Sequence, residues 1–417
     1  MINEILKARE ERALLINDYL KSNNVVIVIK ANIPGVNKNI NEAYLLVNLF
    51  KKIVVSNLKL TLLSKKESKD GPFYLFTSNL DENIIKNKLI EIEETHPLGR
   101  FIDLDVYTKK GNICRNKVRN CFICDYPFHV CRISNNHSTD ELLLFIKESV
   151  TNYLKEIILD MINTSMLKEL GLHPKFGLVT PFSNGSHKDM DYKLMIKAKD
   201  AIIPYFWEMF LVGYTNDSLK TKFKKAKEIG IKAEEAMKKA TNNINAYKGL
   251  IFILGLVLVS LGHLLIYNQD EPYLYENIKL MCRDIFDDIE KLEKTPGIIY
   301  YQKYKFKGAR GEAKDGLKSV KIVVDYLDSH QELNHEILTL ALIKLLDLTD
   351  DSVLLKRSGS LLKYKDNKKL ITSIKEYDKK KVEEITTYCI KNNLSLGGCA
   401  DLLITSVFIH LIKKILI

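Results

Sequence analysis

The stretch GLHPKFGLVTPFSNGSHKDMD, residues 171–191, packs turn formers, cations and titratable side chains into one short segment between two long amphipathic regions. That density reads as a site rather than a linker. Asn184-Gly185 is a turn dipeptide. Ser186, with Asp189 three residues on, reads as an N-cap pair opening a helix with apolar positions at Met190, Leu194, Ala198 and Ile202. The free N–H groups and positive dipole end of such a helix would face the same way as His187 and Lys188, which suits a phosphate-bearing ligand. The plain alternative is that Ser186 and Asp189 only cap and His187 is a surface residue. From Ser138 onward apolar positions recur at three and four and no useful alternating run returns, so the segment sits inside an all-helical region.

Upstream the pattern is mixed. A charged helix over residues 2–21 precedes a β-branched run at 25–33 that reads as a strand. A helix at 41–54, strands at 58–63 and 73–77 around the Asp70-Gly71 turn, and a helix at 81–94 follow. The expectation is therefore two domains: an α/β domain at 1–148 with a mixed sheet, then a larger all-α domain at 149–417. No Gly/Ser linker or internal repeat separates them.

The chain has 417 residues, 46% apolar and 28% charged, with a formal charge of +11, which excludes disorder and favours acidic partners such as nucleotides or an acidic carrier protein. The basic runs at 222–227 and 379–381 hold one aromatic between them, Phe223, and read as solvated faces rather than a nucleic-acid surface. Seven cysteines behind a charged, helix-like start point to a reducing compartment, with the cytoplasm as the default. Residues 250–267 carry no Asp, Glu, Lys or Arg and approach the length of a membrane span. Gly255, Ser260, Gly262 and His263 interrupt them, and a core helix buried all round is the expectation.

In THPLGRFIDLDVYTKKGN, Ile102, Leu104 and Val106 alternate with Asp103 and Asp105, so both carboxylates project from one strand face. On a strand, i and i+2 side chains lie roughly 7 Å apart, close enough to share one hard cation such as Mg²⁺. Arg100 beside them would neutralise charge developing on a pyrophosphate leaving group; the alternative is a merely polar strand face. Cys121-x2-Cys124-x6-Cys131-x5-His137 supplies the four N/S ligands of a tetrahedral Zn²⁺ site, though not at a common finger spacing, and a set of reduced, half-buried cysteines is the alternative.

HPLGRFIDLDVYTKKGNICR, CFICDYPFHVCRISNNH and the opening KAREERALLINDYL resemble the holo-citrate lyase synthase family, apo-citrate lyase phosphoribosyl-dephospho-CoA transferase. The resemblance implies a nucleotidyltransferase-like domain that loads the prosthetic group onto a serine of the citrate lyase acyl carrier protein, the gamma subunit, with pyrophosphate released. Related malonate decarboxylase transferases place paired aspartates on Mg²⁺, which maps to Asp103 and Asp105. GLV and NGSHKDMD, then GIKAEEAMKKATNNINAYKGLIFILG, KGARGEAKDG, DDSVLLKRSG and NNLSLGGCADLL resemble, in order, the triphosphoribosyl-dephospho-CoA synthases. In that family the 2′-hydroxyl of 3′-dephospho-CoA displaces adenine from the ribose of ATP. The positions so implied are His187, Asp189, Glu312 and Asp401 for chemistry, with Asp189 also on Mg²⁺. Lys188, Glu234, Asn245, Lys248, Arg310, Asp350 and Arg357 are implied for binding.

Several positions depart from the synthase pattern: Tyr247 for histidine, Asn242-Asn243 for a glycine pair, Phe176 for proline, Cys399 for serine, and one extra residue in DDSVLLKRSG. The whole reads as a bifunctional cytoplasmic enzyme whose partners are nucleotides and a carrier protein, not nucleic acid or membrane. The alternatives are the same chemistry serving malonate decarboxylase, or a non-catalytic zinc- and nucleic-acid-binding protein.

Overall fold

The computed structural model describes residues 2–115, 118–287 and 296–417. The chain divides into two compact units, residues up to 157 with 414–416, and residues 158–413 with 417.

In the first unit the elements run α1 (Ile2–Ser22), β1 (Val25–Ala31), α2 (Asn41–Asn57), β2 (Thr61–Ser68), β3 (Gly71–Thr77), α3 (Glu82–Thr95), β4 (Ile102–Thr108), β5 (Gly111–Asn112) and α4 (Phe128–Ile133). Every neighbouring pair in the β2-β3-β1-β4-β5 sheet is antiparallel, so the expected mixed sheet is corrected. The α/β alternation suggested parallel neighbours, but the tight β2–β3 hairpin inserts β3 between β1 and β2 and removes the parallel pairing. The strand expected at 58–63 begins only at Thr61, because α2 runs on to Asn57.

Central β1 and β3 are buried, as their unbroken apolar runs require. α1 packs Ile16 and Leu20 on one sheet face, against Val26, Val28, Phe73 and Leu75. In the β1–β4 register Val26 faces Tyr107, Val28 faces Asp105 and Lys30 faces Asp103. Both aspartates therefore lie on the face that α1 covers around Val26 and Tyr107.

The second unit is helical among the described residues. Helix α5 (Thr139–Leu170) starts in the first unit and ends in the second. It is followed by α6 (Tyr192–Gly213), α7 (Leu219–Ala240), α8 (Lys248–Ile266), α9 (Pro272–Met281), α10 (Pro296–Tyr304), α11 (Gly308–Lys314), α12 (Lys318–Asp328), α13 (His335–Leu348), α14 (Ser352–Ser358), α15 (Leu361–Thr372), α16 (Lys379–Lys391) and α17 (Gly397–Ile415).

Helix α8 is long and apolar enough to cross a membrane, yet the other helices bury 78% of it, as expected of a core helix. Its interruptions have packing reasons. A Cβ at Gly262 would lie 2.5 Å from the Phe210 carbonyl oxygen and one at Gly213 would lie 2.2 Å from that of Val259, so glycine lets α6 and α8 touch backbone to backbone. The Ser260 hydroxyl donates to the Leu274 carbonyl at 2.7 Å, which keeps a buried polar group paired. Lys222, read from sequence as part of a solvated face, is fully buried. Its ammonium donates to the Gly213 carbonyl that ends α6 and to Nδ1 of His263, at 2.8 and 2.7 Å.

Candidate active sites in the two units

In the first unit the Asp103–Asp105 face is organised by an edge. Strand β5 pairs only with Tyr107 and Thr108, which leaves the outer backbone groups of Ile102 and Leu104 without a strand partner. Side chains take them instead: Glu93 Oε1 accepts from Leu104 N at 2.9 Å, the Lys86 ammonium donates to Leu104 O at 3.1 Å, and Arg119 donates to Ile102 O at 3.1 Å. The other reach of Arg119 is an ion pair with Asp103 Oδ1 at 3.0 Å, and its guanidinium also contacts Glu93.

This differs from the expectation for Arg100. That guanidinium donates to the Asn120 carbonyl and lies 5.8 Å over the Phe122 ring, so it braces the cysteine segment. The cation against the aspartates is Arg119, and Lys30 faces Asp103 from β1. Burial raises the Asp103 carboxyl above the usual range, with the neighbouring Asp105 adding to the rise and Arg119 opposing it. Among the described residues the Asp105 carboxylate makes no ion pair or hydrogen bond. Two carboxylates on one face, one of them unpartnered, fit a divalent cation.

Cys121, Cys124, Cys131 and His137 converge as expected: one ligand atom of each lies within 4.8 Å of the others.

In the second unit a cavity of about 1290 Å³ is lined by His187, Asp189, Glu234, Asn245, Lys248, Arg310, Glu312, Asp350, Arg357 and Asp401, candidates scattered over more than two hundred residues of sequence. Lys188 is exposed and does not line it. Pockets for one drug-sized ligand run about 300–1,000 Å³, so this one has room for two nucleotides.

The helix expected to start at Ser186 begins at Tyr192, and its cap is Asp191, which accepts from Leu194 N at 2.7 Å. Ser186 is buried, and its hydroxyl donates to the Cys389 carbonyl at 3.2 Å, a partner on α16 that local spacing cannot reveal. His187 bonds through both nitrogens, Nδ1 to Arg357 at 3.0 Å and Nε2 to the Ser395 hydroxyl at 3.1 Å. A guanidinium only donates, so Nδ1 is the acceptor and the proton sits on Nε2. Burial, and secondarily the Arg357 charge, lower the His187 pKa to about 4, so the ring is neutral at pH 7.

Asp401 lies at the floor. A Cβ on Gly249 would stand 2.2 Å from its Oδ2, so glycine there lets the carboxyl reach the first turn of α8, where it accepts from the Leu250 amide. Burial, then Glu169 and Asp351, raise its pKa well above normal. Glu312 is also raised by burial, while the Ser319 amide and hydroxyl bonded to it pull the other way. Glu234 pairs with Lys248 at 2.7 Å, and Asn245 Oδ1 accepts the Lys248 amide at 3.1 Å. Asp350 is exposed on the rim. Its neighbour Asp351 is buried and structural: it caps α14 through Val353 and Leu354 and accepts the Cys399 amide at 2.8 Å in the first turn of α17. Cysteine for serine at 399 leaves that backbone bond intact.

Sequence reading missed the buried pair Lys175–Glu169, 2.8 Å apart in the cavity wall. The signal was present as a Lys four residues after Gly171 in the quoted stretch, but its partner lies at the end of α5. Tyr247 is buried in the same wall, with its hydroxyl unpartnered and its pKa pushed well up by burial, Glu169 and Asp401. Asn242 and Asn243 have φ of 53° and 67°, the left-handed backbone that glycine or asparagine accepts most readily. Phe176 has φ of 38°, and its amide donates to Thr386 at 3.1 Å; proline can do neither.

Residues 155–416 match the family described as ATP:dephospho-CoA triphosphoribosyl transferase. The chain belongs to this family. Residues 1–153 match apo-citrate lyase phosphoribosyl-dephospho-CoA transferase, so the triphosphoribosyl transferase is fused here to the carrier-loading enzyme. Protein CitXG of Haemophilus influenzae is 28% identical over 98% of this chain and 95% of its own length. Protein CitXG of Leuconostoc mesenteroides subsp. cremoris is 29% identical over 92% and 91%. A 2-(5''-triphosphoribosyl)-3'-dephosphocoenzyme-A synthase of Haemophilus ducreyi, 29% identical, covers 69% of this chain and 98% of itself. ATP and dephospho-CoA are the substrates of the triphosphoribosyl transferase family, and the N-terminal family acts on apo-citrate lyase.

Proposed function

We propose that the helical unit forms 2′-(5″-triphosphoribosyl)-3′-dephospho-CoA and that the α/β unit transfers its phosphoribosyl-dephospho-CoA part to the citrate lyase acyl carrier protein. The observation that carries the first half is the convergence of ten scattered polar side chains on one cavity. In the reaction the 2′-hydroxyl of dephospho-CoA loses its proton, its oxygen bonds to C1″ of the ATP ribose, the bond from C1″ to adenine N9 breaks, and adenine leaves after gaining a proton. Asp401, whose carboxyl burial raises most strongly, supplies the proton to adenine, and Glu312, also raised by burial, takes the one from the hydroxyl. Arg310, Arg357 and Lys248 hold the triphosphate. Asp189, on the cavity wall, is the carboxylate that would hold its Mg²⁺. His187 keeps Arg357 aimed into the site and is not itself the base.

In the α/β unit the chemistry is that of a nucleotidyltransferase: the carrier serine hydroxyl gives up its proton, its oxygen bonds to the α-phosphorus, the bond to pyrophosphate breaks, and the departing pyrophosphate takes up the proton. Asp103 and Asp105 are the residues that would hold Mg²⁺, and the cation would draw charge from the departing pyrophosphate. Arg119 keeps Asp103 in place, while Lys30, opposite Asp103 in the β1–β4 register, is held in an ion pair with the buried Asp70 at 3.1 Å. The partners are nucleotides and the carrier, in the cytoplasm, with neither nucleic acid nor membrane involved. Mass spectrometry of apo-carrier incubated with the chain, ATP, dephospho-CoA and Mg²⁺ tests the reading. The carrier gains one phosphoribosyl-dephospho-CoA if it holds and stays apo if it does not.

A further inference from the structure

We infer that Cys121, Cys124, Cys131 and His137 bind one structural Zn²⁺, and that this ion fixes Arg119 against Asp103 in the transferase site. Tetrahedral zinc with Zn–S bonds of about 2.3 Å sets its ligand sulfurs about 3.7 Å apart. Here Cys131 Sγ lies 3.4 Å from Cys121 Sγ and 3.9 Å from Cys124 Sγ. Disulfide sulfurs would be about 2.05 Å apart, so the thiols are gathered without being oxidised. The fourth corner is independent of the thiols. His137 Nε2 is buried and has no hydrogen-bond partner, an arrangement that costs free energy unless something outside the protein binds it.

The ligands come from a turn and a helix tied together. The Cys121 amide donates to the Tyr126 carbonyl at 2.8 Å, Asn120 bridges Pro127, and Cys131 lies on α4 with its carbonyl accepting the Asn136 amide at 3.2 Å. The turn is joined to the aspartate strand in two ways. Arg119, two residues before the first cysteine, accepts the Phe128 amide on its own carbonyl at 3.0 Å and sends its guanidinium to Asp103. Phe122, between the first two cysteines, packs edge-on against Phe101 at 5.2 Å, directly before β4. In a segment with so little buried apolar surface, the ion supplies the order that a core would otherwise supply. The coupling to catalysis rests on the proposed transfer at Asp103; the metal site does not.

The test uses tag-free full-length chain expressed with zinc in the medium. Elemental analysis is expected to give close to one Zn²⁺ per chain, and exchange with Co²⁺ to give the intense sulfur-to-cobalt charge-transfer and visible bands of a tetrahedral Cys3His site. His137→Cys should retain the metal, whereas Cys131→Ser and His137→Ala lose it. Carrier loading by those two should fall at least tenfold, with adenine release unchanged. Less than one tenth of an equivalent of zinc, together with no such cobalt bands, overturns the site. Full zinc occupancy in wild type with full loading by metal-free His137→Ala leaves the site standing and overturns the coupling to Arg119.

Discussion

Arg357 donates to Nδ1 of His187 at 3.0 Å, and this one bond decides what the histidine can do. With Nδ1 occupied and Nε2–H committed to Ser395, the role proposed for the ring is to position the arginine rather than to move protons. His187→Ala is expected to lower adenine release by about 10²-fold, chiefly through a raised KM for ATP as Arg357 loses its support. His187→Asn, which can still accept from Arg357, should recover part of it. A pH–rate profile of wild type with an essential group near pH 6.5 that vanishes in His187→Ala would restore the histidine to the role of base.

Tyr247 has the opposite arrangement, a buried hydroxyl with no partner and a pKa driven upward. It cannot serve as a base near neutrality. Tyr247→Phe removes an unsatisfied buried group, so thermal stability should hold or rise slightly, and adenine release should fall less than tenfold. Loss comparable to that of His187→Ala would show that the hydroxyl engages the reacting nucleotide.

Three histidines predict how stability changes in acid. Burial leads in lowering His96, His187 and His263 to about 4 from about 6.5. At each ring the unfolded chain binds a proton between these values that the folded chain does not, so each ring contributes a stability that rises with pH across that window. The raised carboxyls of Asp103, Asp401 and Glu312 act with the opposite sign, so the test isolates one ring. The melting temperature of wild type should fall further between pH 6.5 and 4 than that of His96→Gln, by differential scanning fluorimetry; parallel profiles would contradict a buried neutral ring at His96.

The Lys175–Glu169 pair offers a stability test at the cavity wall. Lys175→Met strands a buried carboxylate and should cost about 3–5 kcal/mol, while Lys175→Met with Glu169→Leu should regain much of that. Urea unfolding followed by far-UV circular dichroism reads the difference. Equal loss in the single and double variants would mean that the two charges are not coupled.

The pattern of legibility follows the range of each interaction. The strand carrying Asp103 and Asp105 was readable because side-chain alternation is local, and the buried α8 because an uncharged run of that length has few other uses. The helix start was misread because Ser186 spends its hydroxyl on Cys389, far away in sequence, leaving the cap to Asp191. Arg100 looked like the catalytic cation by adjacency, whereas the cysteine turn folds back and brings Arg119 to Asp103 instead. The synthase positions were legible only through resemblance. Helical spacing alone says nothing about Glu234, Arg310 and Asp401 meeting in one cavity.

If two active sites work independently on one chain, Asp103→Asn separates them. The purified variant, given ATP, dephospho-CoA and Mg²⁺, is expected to release adenine at the wild-type rate, in equal amount to the dephospho-CoA consumed, while carrier loading falls by at least 10²-fold. Chromatographic quantitation of adenine reads this directly. ATP turnover without adenine would rule out the triphosphoribosyl transfer, and adenine release that falls together with loading would show that the two sites are not independent.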